Sequence, residues 1–565
     1  MAIPPKSAMP SVDTELGLAR RFWIKFTRES VFSTYTPFLV CLASGNLKLE
    51  SFRHYIAQDL HFLRAFVQAY ELAEECADDD DAKFGISELR KAVVAELKVN
   101  RSLVQEWGLD LAKESSLNSS TVKYTDFLLA TASGKVEGLK GPGKLATPFE
   151  KTKIAAYTLG AITPCLRLNA FLGKQFQKLL DADKGTHPYQ KWIDNHSSDS
   201  FQASALQTED LLDKLSVSLT GEELDVIEKL YYQALKLEID FFSSQPLFQT
   251  AILPLTKGHN PAKDHLMIFS DFDLTCTIVD SFAILAEIAI VTASKFDRHH
   301  PEDQVIRMSS TDLRNTWGFL SKQYTEEYEQ CIESIMPSKK LDYFDHKELC
   351  VALEQLAEFE KSVNHRVVES GVLKGLNLED IKHAGEHMIF QDGCTNFFQK
   401  CVKNENLNVI VHVLSYCWCG DLIRSAFSSV GLTELNVHAN EFTFEGSVST
   451  GEIVKKVESP IDKVQAFHNI LNCNDDRKKL TVYIGDSMGD LLCLLEADIG
   501  IVVGSSSSLR KVGTQFGISF VPLFTGLVKK QKEYMEGTSL NWNGLSGILY
   551  TVTSWAEVHA FVLGC

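Results

Sequence analysis

The sequence has no long apolar run that is free of charged residues, and it has no excess of positive charge. A transmembrane helix needs an uncharged apolar stretch of about 18 residues, so we predict no membrane span. The formal net charge of the 565 residues is −18. Nucleic acids and anionic membranes bind clustered Lys and Arg, so this charge argues against both as partners.

Cysteine pairs with a recognisable framework are also missing. The thirteen cysteines are scattered and odd in number, and the pair Cys417/Cys419 does not have the spacing of a zinc site. We therefore expect reduced thiols in a cytosol-like compartment. The first residues contain neither a secretory apolar segment nor a convincing transit peptide. These features predict a cytoplasmic protein, and a longer, mitochondrially targeted form remains an alternative.

The chain is too long for one core, and its hydrophobic pattern changes halfway along. Residues 12–250 have a helical period without a convincing strand, which predicts an all-α bundle. Residues 251–262 contain two prolines, a glycine and an asparagine, and we interpret them as a linker. In residues 263–565, the four apolar runs "LMIFS", "NVIVHVLS", "KLTVYIGD" and "IGIVVG" predict a Rossmann-like parallel α/β sheet. The mostly helical residues 281–390 are too many for a crossover and predict an inserted cap.

Polar residues lie at or near the carboxyl ends of the predicted strands, where parallel sheets bind ligands. These residues are Asp271, Asp273, Ser415, Lys463, Asp486 and Asp490. Converging carboxylates raise one another's pKa, and a hard divalent cation such as Mg²⁺ removes that penalty. An aspartate can attack phosphorus, and a second carboxyl can move the protons. A lysine and a hydroxyl can bind the remaining phosphoryl oxygens.

The motifs "DFDLT", "LS" at 414–415, Lys463 and "GDSMGD" resemble those of phosphatases of the haloacid dehalogenase (HAD) superfamily. The resemblance covers about 263–523, and it implies that Asp271 is the nucleophile and Asp273 the general acid/base. The insertion after the first motif is similar to the cap of pyrimidine nucleotidases.

The same resemblance implies a magnesium site and a phosphate site. Mg²⁺ would bind Asp271, the backbone carbonyl of Asp273 and Asp486, with Asp490 supporting the metal site. Ser415 and Lys463 would hold the phosphate. Mg²⁺ is therefore the expected cofactor.

Three polar residues of the helical half lie on apolar stripes. Asp59 is three residues after Ile56, Glu238 is three residues before Phe241, and Cys165 follows Pro164. Burying an unpaired carboxylate costs several kcal/mol, so each acid should have a partner or a ligand. Two acids and a thiol facing one bundle interior indicate a pocket for a polar, nitrogen-rich ring. The alternatives are a cysteine that acts as a small hydrophobe, and acids paired with Arg64, Arg167 or His196.

The segments "FRHYIAQDLHFL", "PCLRLNAFLG", "HPYQKWIDNHSSDSF" and "YYQALKLEIDFF" resemble the thiaminase II (TenA) family. The resemblance covers about 16–245. It implies that Cys165 is the nucleophile and Glu238 the acid/base, that Asp59 holds an aminopyrimidine, and that Tyr124 lines the pocket.

The chain departs from the TenA pattern at Phe62, Asn169 and His196, where the bacterial family usually has tyrosines. These changes to the pocket wall favour hydrolysis of a smaller aminopyrimidine over cleavage of intact thiamin.

The fusion of these two domains resembles a family of plant bifunctional thiamin-salvage enzymes. That resemblance implies small-molecule substrates: thiamin monophosphate for the phosphatase, and aminopyrimidine breakdown products of thiamin for the helical half. It also implies a homo-oligomer formed through the TenA-like domain. The alternative is a pyrimidine 5′-nucleotidase-type phosphatase joined to a non-catalytic binding or oligomerisation module.

Overall fold

The computed structural model describes residues 16–106, 117–136, 148–180, 187–258, 264–299, 308–404, 407–472, 478–537 and 542–564. Residues 12–15 of the predicted helical domain, residues 259–262 of the predicted linker and residues 300–307 of the predicted cap lie outside these ranges.

Two compact units make up the chain, a helical unit and an α/β unit. The helical unit takes Ala8–Leu255, and the α/β unit takes Thr256–Gly526. Of the later residues, Leu540–His559 belong to the α/β unit, whereas Leu527–Ser539 and Ala560–Cys565 belong to the helical unit. The predicted domain limits of 12–250 and 263–565 place these last two segments differently, and they stay predictions.

The helical unit is all-α in its described residues, as predicted. From the N-terminus its helices are α1 Leu18–Lys25, α2 Thr27–Thr34, α3 Pro37–Ala43, α4 Leu49–Cys76, α5 Asp80–Glu106, α6 Ser119–Ala132, α7 Pro148–Gln177, α8 Gln190–Ser197, α9 Asp199–Ser216 and α10 Gly221–Ser243.

Local sequence signals explain the long helices that carry the candidate residues. In α4, the apolar stripe that includes Ile56 and Leu63 is buried, because residues three and four apart share one face. Helix α10 begins with a capping box, in which the Glu223 amide donates to Thr220 Oγ1 and the Thr220 amide donates to Glu223 Oε2. Pro164 lies inside α7 and offers no amide donor to the helix, one residue before Cys165.

The α/β unit is built on a seven-stranded sheet whose neighbouring strands are all parallel. Along the chain, the described strands of the unit are β1 Asp264–Ser270, β2 Lys374–Asn377, β3 Val409–Leu414, β4 Asn436–His438, β5 Glu441–Glu445, β6 Val448–Val454, β7 Lys478–Gly485, β8 Ile499–Val503, β9 Ser519–Pro522 and β10 Ile548–Val552. The order in the large sheet is β4-β3-β1-β7-β8-β10-β9. The four predicted runs form β1, β3, β7 and β8.

Strand β1 is the point where the sheet's connectivity reverses. It pairs with β3 on one side and with β7 on the other, so that Ser270 at its end lies between Val413 and Ile484. At such a switch point the connections leave in opposite directions and open a crevice beyond the carboxyl ends of the strands. The residues that follow β1, β3 and β7 therefore meet at one place.

Several strands were not predicted. Strand β4 has only three residues at an edge of the sheet, and β9 at the other edge ends in Pro522. The antiparallel sheet β2-β6-β5 is small and partly exposed, so its strands lack the continuous apolar runs of buried parallel strands.

Helices cover the large sheet and form the insertion between β1 and β3. The described helices that follow β1 are α11 Ser281–His299, α12 Ser310–Ser334, α13 His346–Glu369, α14 Leu378–Glu386, α15 Cys394–Lys403, α16 Gly420–Ser429, α17 Pro460–Leu471, α18 Leu491–Glu496, α19 Ser507–Gln515, α20 Leu523–Met535 and α21 Trp555–Val562. Of these, residues 527–535 of α20 and 560–562 of α21 belong to the helical unit. The predicted insertion, 281–390, is mostly helical and contains α11 to α14. In the described parts of the chain, no helix combines the length and the apolar character needed to cross a membrane.

Candidate active sites

The first candidate site lies at the carboxyl edge of the large sheet and is centred on Asp271. This residue directly follows β1, and its amide donates to the carbonyl of Ile484 at 2.9 Å, which continues the pairing with β7. Lys463 comes from the first turn of α17, which Ser459 caps by accepting the amide of Asp462 at 3.2 Å. The Lys463 ammonium is buried and donates to one oxygen of Asp271 and one of Asp490, at 2.7 Å each.

Asp490 accepts hydrogen bonds from Tyr483 and Ser487 in addition to its bond with Lys463. The Tyr483 hydroxyl donates to its Oδ1 at 2.9 Å, and the amide and hydroxyl of Ser487 donate to its Oδ2 at 3.0 and 2.7 Å. These bonds occupy both oxygens, so Asp490 is suited to fixing Lys463 and the loop. Asp486, whose Oδ1 accepts from Thr275 Oγ1 at 2.8 Å, is the freer carboxylate.

The carboxylates form a group that fits a divalent metal ion. Asp271, Asp486 and Asp490 each offer one oxygen, and these oxygens lie within 4.8 Å of one another. Burial and the charge of Asp490 together raise the pKa of Asp271 to about 7, against the opposing effect of Lys463. Burial and the charges of Asp271 and Asp490 also raise the pKa of Asp486 well above its ordinary value. One ammonium does not neutralise three carboxylates, and an oxygen-seeking cation such as Mg²⁺ would complete the balance.

Asp273 points to a different part of the site. The amide and the hydroxyl of Ser281 donate to its two carboxyl oxygens, at 2.6 and 2.8 Å. Burial, followed by the charges of Asp280 and Asp271, raises the pKa of Asp273 well above its ordinary value. A carboxyl that keeps its proton and stays fixed beside the nucleophile can protonate a leaving oxygen.

The buried side-chain amide of Asn440 links the segments that carry Ser415 and Lys463. Ser415 follows β3, and its hydroxyl lies 3.5 Å from the Asp273 carboxyl. The Asn440 side chain donates to the carbonyls of Tyr416 and Val457, at 3.1 and 2.8 Å, and accepts the amides of Lys456 and Val457, at 2.7 and 2.9 Å. Asn440 thereby ties the loop after β3 to the segment that leads into α17.

The structure brings all six residues predicted for the phosphatase site to one edge of the sheet. The chemical roles assigned to them stay predictions. Sequence reasoning missed Ser281, Tyr483 and Asn440, which orient these residues. Tyr483 lies inside an apolar strand run, where nothing in the pattern indicates that its hydroxyl meets a carboxylate.

The second candidate site is a small cavity inside the helical unit. The four predicted residues line it from four helices: Asp59 from α4, Tyr124 from α6, Cys165 from α7 and Glu238 from α10. No Lys or Arg is among the described lining residues. The predicted alternative of ion pairs is not seen in this part of the chain, because Arg64 is exposed and Arg167 pairs with Glu209.

Cys165 and Glu238 form a hydrogen-bonded pair in this cavity. The Tyr124 hydroxyl donates to Glu238 Oε1 at 2.7 Å, and the thiol of Cys165 is hydrogen-bonded to the same carboxyl group. Burial raises the pKa of Glu238 to about 7. Burial and the charge of Glu238 raise the pKa of Cys165 well above its ordinary value. The thiol therefore stays protonated until the carboxylate takes its proton, and a carboxyl with a pKa near neutrality suits that transfer.

Glu96 is a third acid in the cavity, and sequence reasoning missed it. Burial raises the pKa of Glu96 to about 7 and lowers that of His196 to about 4. Their side chains face each other at 3.6 Å as a largely neutral pair, with His196 donating through Nδ1 to the Trp192 carbonyl at 2.8 Å. Asp59 accepts a hydrogen bond from Asn100 at 2.8 Å.

The three departures from the TenA pattern all line this cavity. Phe62 stacks near Tyr124, with 4.5 Å between the ring centroids, and Asn169 donates to the Cys165 sulfur at 3.5 Å. Asn169 and His196 are each smaller than a tyrosine, and they bring an amide and an imidazole group to the pocket wall.

Comparison with known proteins matches both units. The model of the TENA/THI-4/PQQC family matches residues 29–136 and 150–246. The "Bifunctional TH2 protein, mitochondrial" of Arabidopsis thaliana is 66% identical over 100% of this chain and 91% of its own length. An "Aminopyrimidine aminohydrolase" of Staphylococcus aureus (strain MRSA252) is 24% identical over 36% of this chain and 83% of its own.

A solved structure of phosphoserine phosphatase, carrying an analogue of a phospho-aspartyl intermediate, is similar to part of the chain. It is 17% identical, covers 44% of this chain and 90% of its own, and has a TM-score of 0.25. At that score the likeness supports no argument, so the nature of the α/β unit rests on its own topology, motifs and geometry.

Proposed function

The chain belongs to the family of the Bifunctional TH2 protein, and from this premise we propose that it is a two-site hydrolase of thiamin salvage. The α/β unit dephosphorylates thiamin monophosphate through an aspartyl-phosphate, and the helical unit hydrolyses aminopyrimidines derived from thiamin. The observation that carries the proposal is the Lys463 ammonium, which is shared at 2.7 Å by Asp271 and Asp490 beside Asp486. Three carboxylates and one ammonium leave an excess of negative charge that a divalent cation offsets, and the cation and the ammonium together can then bind a phosphate group.

In the phosphatase reaction, Asp271 attacks phosphorus and forms the aspartyl-phosphate as the bond to the ester oxygen breaks. Asp273 gives its proton to that oxygen, and the alcohol leaves. Asp273 then takes a proton from water, and the water oxygen attacks phosphorus and releases phosphate and free Asp271. Lys463 and Ser415 bind the phosphoryl oxygens during both steps. Asp271, the Asp273 backbone carbonyl and Asp486 would hold Mg²⁺, which would supply positive charge that offsets the negative charge of the carboxylates and the phosphoryl group.

In the helical unit, Cys165 attacks the amino-bearing carbon of the pyrimidine ring while Glu238 takes the thiol proton. Glu238 then gives that proton to the departing amine. It next removes a proton from the water that displaces the sulfur, and it returns this proton to the Cys165 thiolate. Tyr124 keeps the Glu238 carboxyl in place through its 2.7 Å hydrogen bond. Asp59 binds the ring nitrogens and the amino group of the substrate. The "Aminopyrimidine aminohydrolase" relative supports this assignment.

Phosphate release tests the proposal directly. The full chain is assayed with thiamin monophosphate, uridine monophosphate and cytidine monophosphate, each with Mg²⁺ and with EDTA. We expect preference for thiamin monophosphate and loss of turnover with EDTA. Preference for a nucleotide would instead support the pyrimidine nucleotidase alternative. A helical unit that turns over no aminopyrimidine in the same preparation would reduce it to a binding or oligomerisation module.

We also propose that a form of this chain acts in mitochondria and that the helical unit mediates homo-oligomerisation. The first proposal follows the name of the Arabidopsis relative, and the second follows the TenA resemblance. Subcellular fractionation tests the location, and light scattering of the purified full chain gives its mass in solution. A purely cytosolic distribution or a monomeric mass would contradict the respective proposal.

A further inference from the structure

A cleft lies next to the residues of the α/β unit that we propose bind phosphate. One wall comes from the cap, with Tyr324 and Tyr328 of α12 and Glu360 of α13. The other wall comes from the loop after β3, with Tyr416 and Trp418. Pro460, which opens the helix of Lys463, and residues 487–489 of the "GDSMGD" motif also line it. A phosphate ester bound at Lys463 would therefore place its leaving group in this cleft.

Aromatic rings dominate the walls of the cleft. Tyr324 and Tyr328 are stacked, with ring centroids 5.5 Å apart, and Trp418 is packed against Phe282 at 4.3 Å. The Trp418 indole is held in place by its Nε1, which donates to Asn364 Oδ1 at 2.9 Å. Aromatic faces carry negative partial charge and attract cations, and they also stack on flat heterocycles.

Glu360 is the acid of this cleft that has no Lys or Arg partner in the described part of the chain. Its Oε1 accepts a hydrogen bond from the Tyr324 hydroxyl at 3.1 Å. The other acid on the wall, Glu458, is already paired with Lys455 at 3.1 Å. Burial raises the pKa of Glu360 to about 7. A carboxylate in such a position is stabilised by a bound cation, because the cation restores the interactions lost on leaving water.

Glu360 lies on the apolar stripe of α13, four residues after Leu356 and seven after Leu353, both of which are buried. A residue in that register faces inward, so contact with water does not explain why an acid occupies the position. Glu354 and Glu358 on the same helix are exposed to water, which is the ordinary environment of an acid.

We propose that this cleft selects phosphate esters whose leaving group carries a positive charge, with Glu360 as the counter-charge and the aromatic walls as the stacking surface. The inference rests on the proposed phosphatase function and extends it. A thiazolium ring joined to the phosphate by a short chain has the required charge and flatness. A nucleoside is flat but neutral, so it gains the stacking without the charge interaction. Glu360 is thus a specificity-determining residue that takes no part in the chemical steps.

The test uses a pair of substrates that differ in charge alone. Phosphocholine carries a trimethylammonium group, and 3,3-dimethylbutyl phosphate has a carbon atom in place of its nitrogen. The wild-type full chain with Mg²⁺ should prefer the cationic ester by about tenfold or more in kcat/KM, a factor expected of one cation–π contact with a nearby carboxylate. Thiamin monophosphate is assayed alongside.

In Glu360→Gln, the kcat/KM for phosphocholine and thiamin monophosphate should fall about tenfold, mainly through KM, because the lost interaction is already made in the ground state. Turnover of 3,3-dimethylbutyl phosphate should stay within about twofold, which also shows that the variant is folded. Glu358→Gln replaces an exposed acid on the same helix and serves as the matched control. It should leave the kcat/KM for the cationic esters and the turnover of the neutral ester unchanged.

The outcomes separate this inference from the proposed function. If all three esters are hydrolysed but Glu360→Gln leaves the cationic preference unchanged, the inference is overturned and the phosphatase stands. A fall in the turnover of both charged and neutral esters would likewise overturn it, by making Glu360 a structural residue. If the wild-type chain hydrolyses none of the esters with Mg²⁺, the proposed phosphatase and this inference fail together.

Discussion

Carboxylates are buried in both units, but the two units balance them differently. At the edge of the sheet, Asp271 and Asp490 share the Lys463 ammonium, and a divalent cation fits beside them. In the helical unit, the described lining of the cavity contains no Lys or Arg, and its acids meet neutral donors such as Asn100 and Tyr124. The same residue type therefore faces two different electrostatic environments.

This difference explains how one chain can carry out two kinds of hydrolysis. A site with a fixed ammonium would, once a divalent cation is bound, attract a phosphate dianion and hold its carboxylates ionised for attack on phosphorus. A site without cations keeps its acids near neutral pKa values, so that they exchange protons with a thiol and with an amine. Charge balance, more than residue identity, assigns the chemistry.

The largest expected effect comes from Asp271→Asn. An amide cannot form the aspartyl-phosphate, so phosphate release should fall by about 10⁴-fold or more. Hydrolysis of an aminopyrimidine by the same preparation should be unchanged, because the helical cavity has its own nucleophile. Loss of both activities from this single change would contradict two independent sites.

Cys165→Ser is the matching change in the helical unit. The serine hydroxyl gives up its proton far less readily than a thiol, so aminopyrimidine hydrolysis should fall about a thousandfold. Phosphate release from thiamin monophosphate, measured in parallel, should not change. An unaffected aminopyrimidine activity would remove Cys165 from the reaction.

Lys463→Met tests whether the α/β unit depends on its buried cation for folding stability. It leaves the buried carboxylates of Asp271 and Asp490 without their cation, and breaking such a pair costs about 3–5 kcal/mol. Glu238→Gln in the helical unit removes a carboxylate that has no cation, so we expect a change below about 1 kcal/mol.

Hydrogen exchange in increasing urea reports on each unit separately and measures both changes. Saturating Mg²⁺ should recover part of the loss in Lys463→Met, because it neutralises the same carboxylates. Equal destabilisation of the two variants would contradict the claim that the carboxylates of the α/β unit depend on a buried cation while those of the helical unit do not.

Thr275→Val tests the metal site by a smaller change. The variant removes the hydroxyl that donates to Asp486 at 2.8 Å and keeps the shape of the side chain. Loss of a partner that orients a metal ligand raises the Mg²⁺ concentration for half-maximal phosphatase activity about 10- to 100-fold. Thr443→Val, on an exposed position of β5, is the control and should leave that concentration unchanged. A Thr275→Val enzyme with wild-type Mg²⁺ dependence would argue against Asp486 as a ligand.

The smallest effect is a pH dependence of stability in the helical unit. Glu96 and Glu238 have pKa values of about 7 in the folded chain against an ordinary value of 4.5, so the folded state binds protons more tightly. This contribution to stability is complete below about pH 4.5 and is lost as the pH rises through 7. The thermal midpoint of the helical unit should therefore fall between pH 5.5 and 8. Replacing both residues with Gln should flatten the profile, and an unchanged slope would show that other groups cause it.

The sequence predicted four adjacent inner strands of the large sheet and missed the fifth, β10, which lies between β8 and β9. Strands β1, β3, β7 and β8 have continuous apolar runs because helices cover both faces of a parallel sheet. The edge strands β4 and β9 and the small antiparallel sheet have no such pattern, and they were missed. The residues that follow the buried strands could therefore be placed at one edge before the structure was known.

One rule found some of the buried acids and overlooked others. The rule is that an acid on the apolar stripe of a predicted helix marks a candidate site residue. It identified Asp59 and Glu238, which line the helical cavity. The same rule applies to Glu96, three residues after Val93, and to Glu360, four after Leu356. Sequence reasoning did not extend the rule to α5 and α13. Partners such as Asn440 and Ser281 were beyond it, because polar residues in loops carry no periodic signal.

Asn440 has a consequence for how variation in this chain is interpreted. Its buried amide makes four hydrogen bonds that join the loop after β3 to the segment leading into α17. Replacing it by Asp or Ala leaves at least one backbone amide or carbonyl unsatisfied in the interior. In a mutational scan scored by phosphatase activity, position 440 will therefore resemble an active-site position, although its side chain bonds only to backbone groups. A parallel scan scored by protein abundance would recognise it as an architectural position.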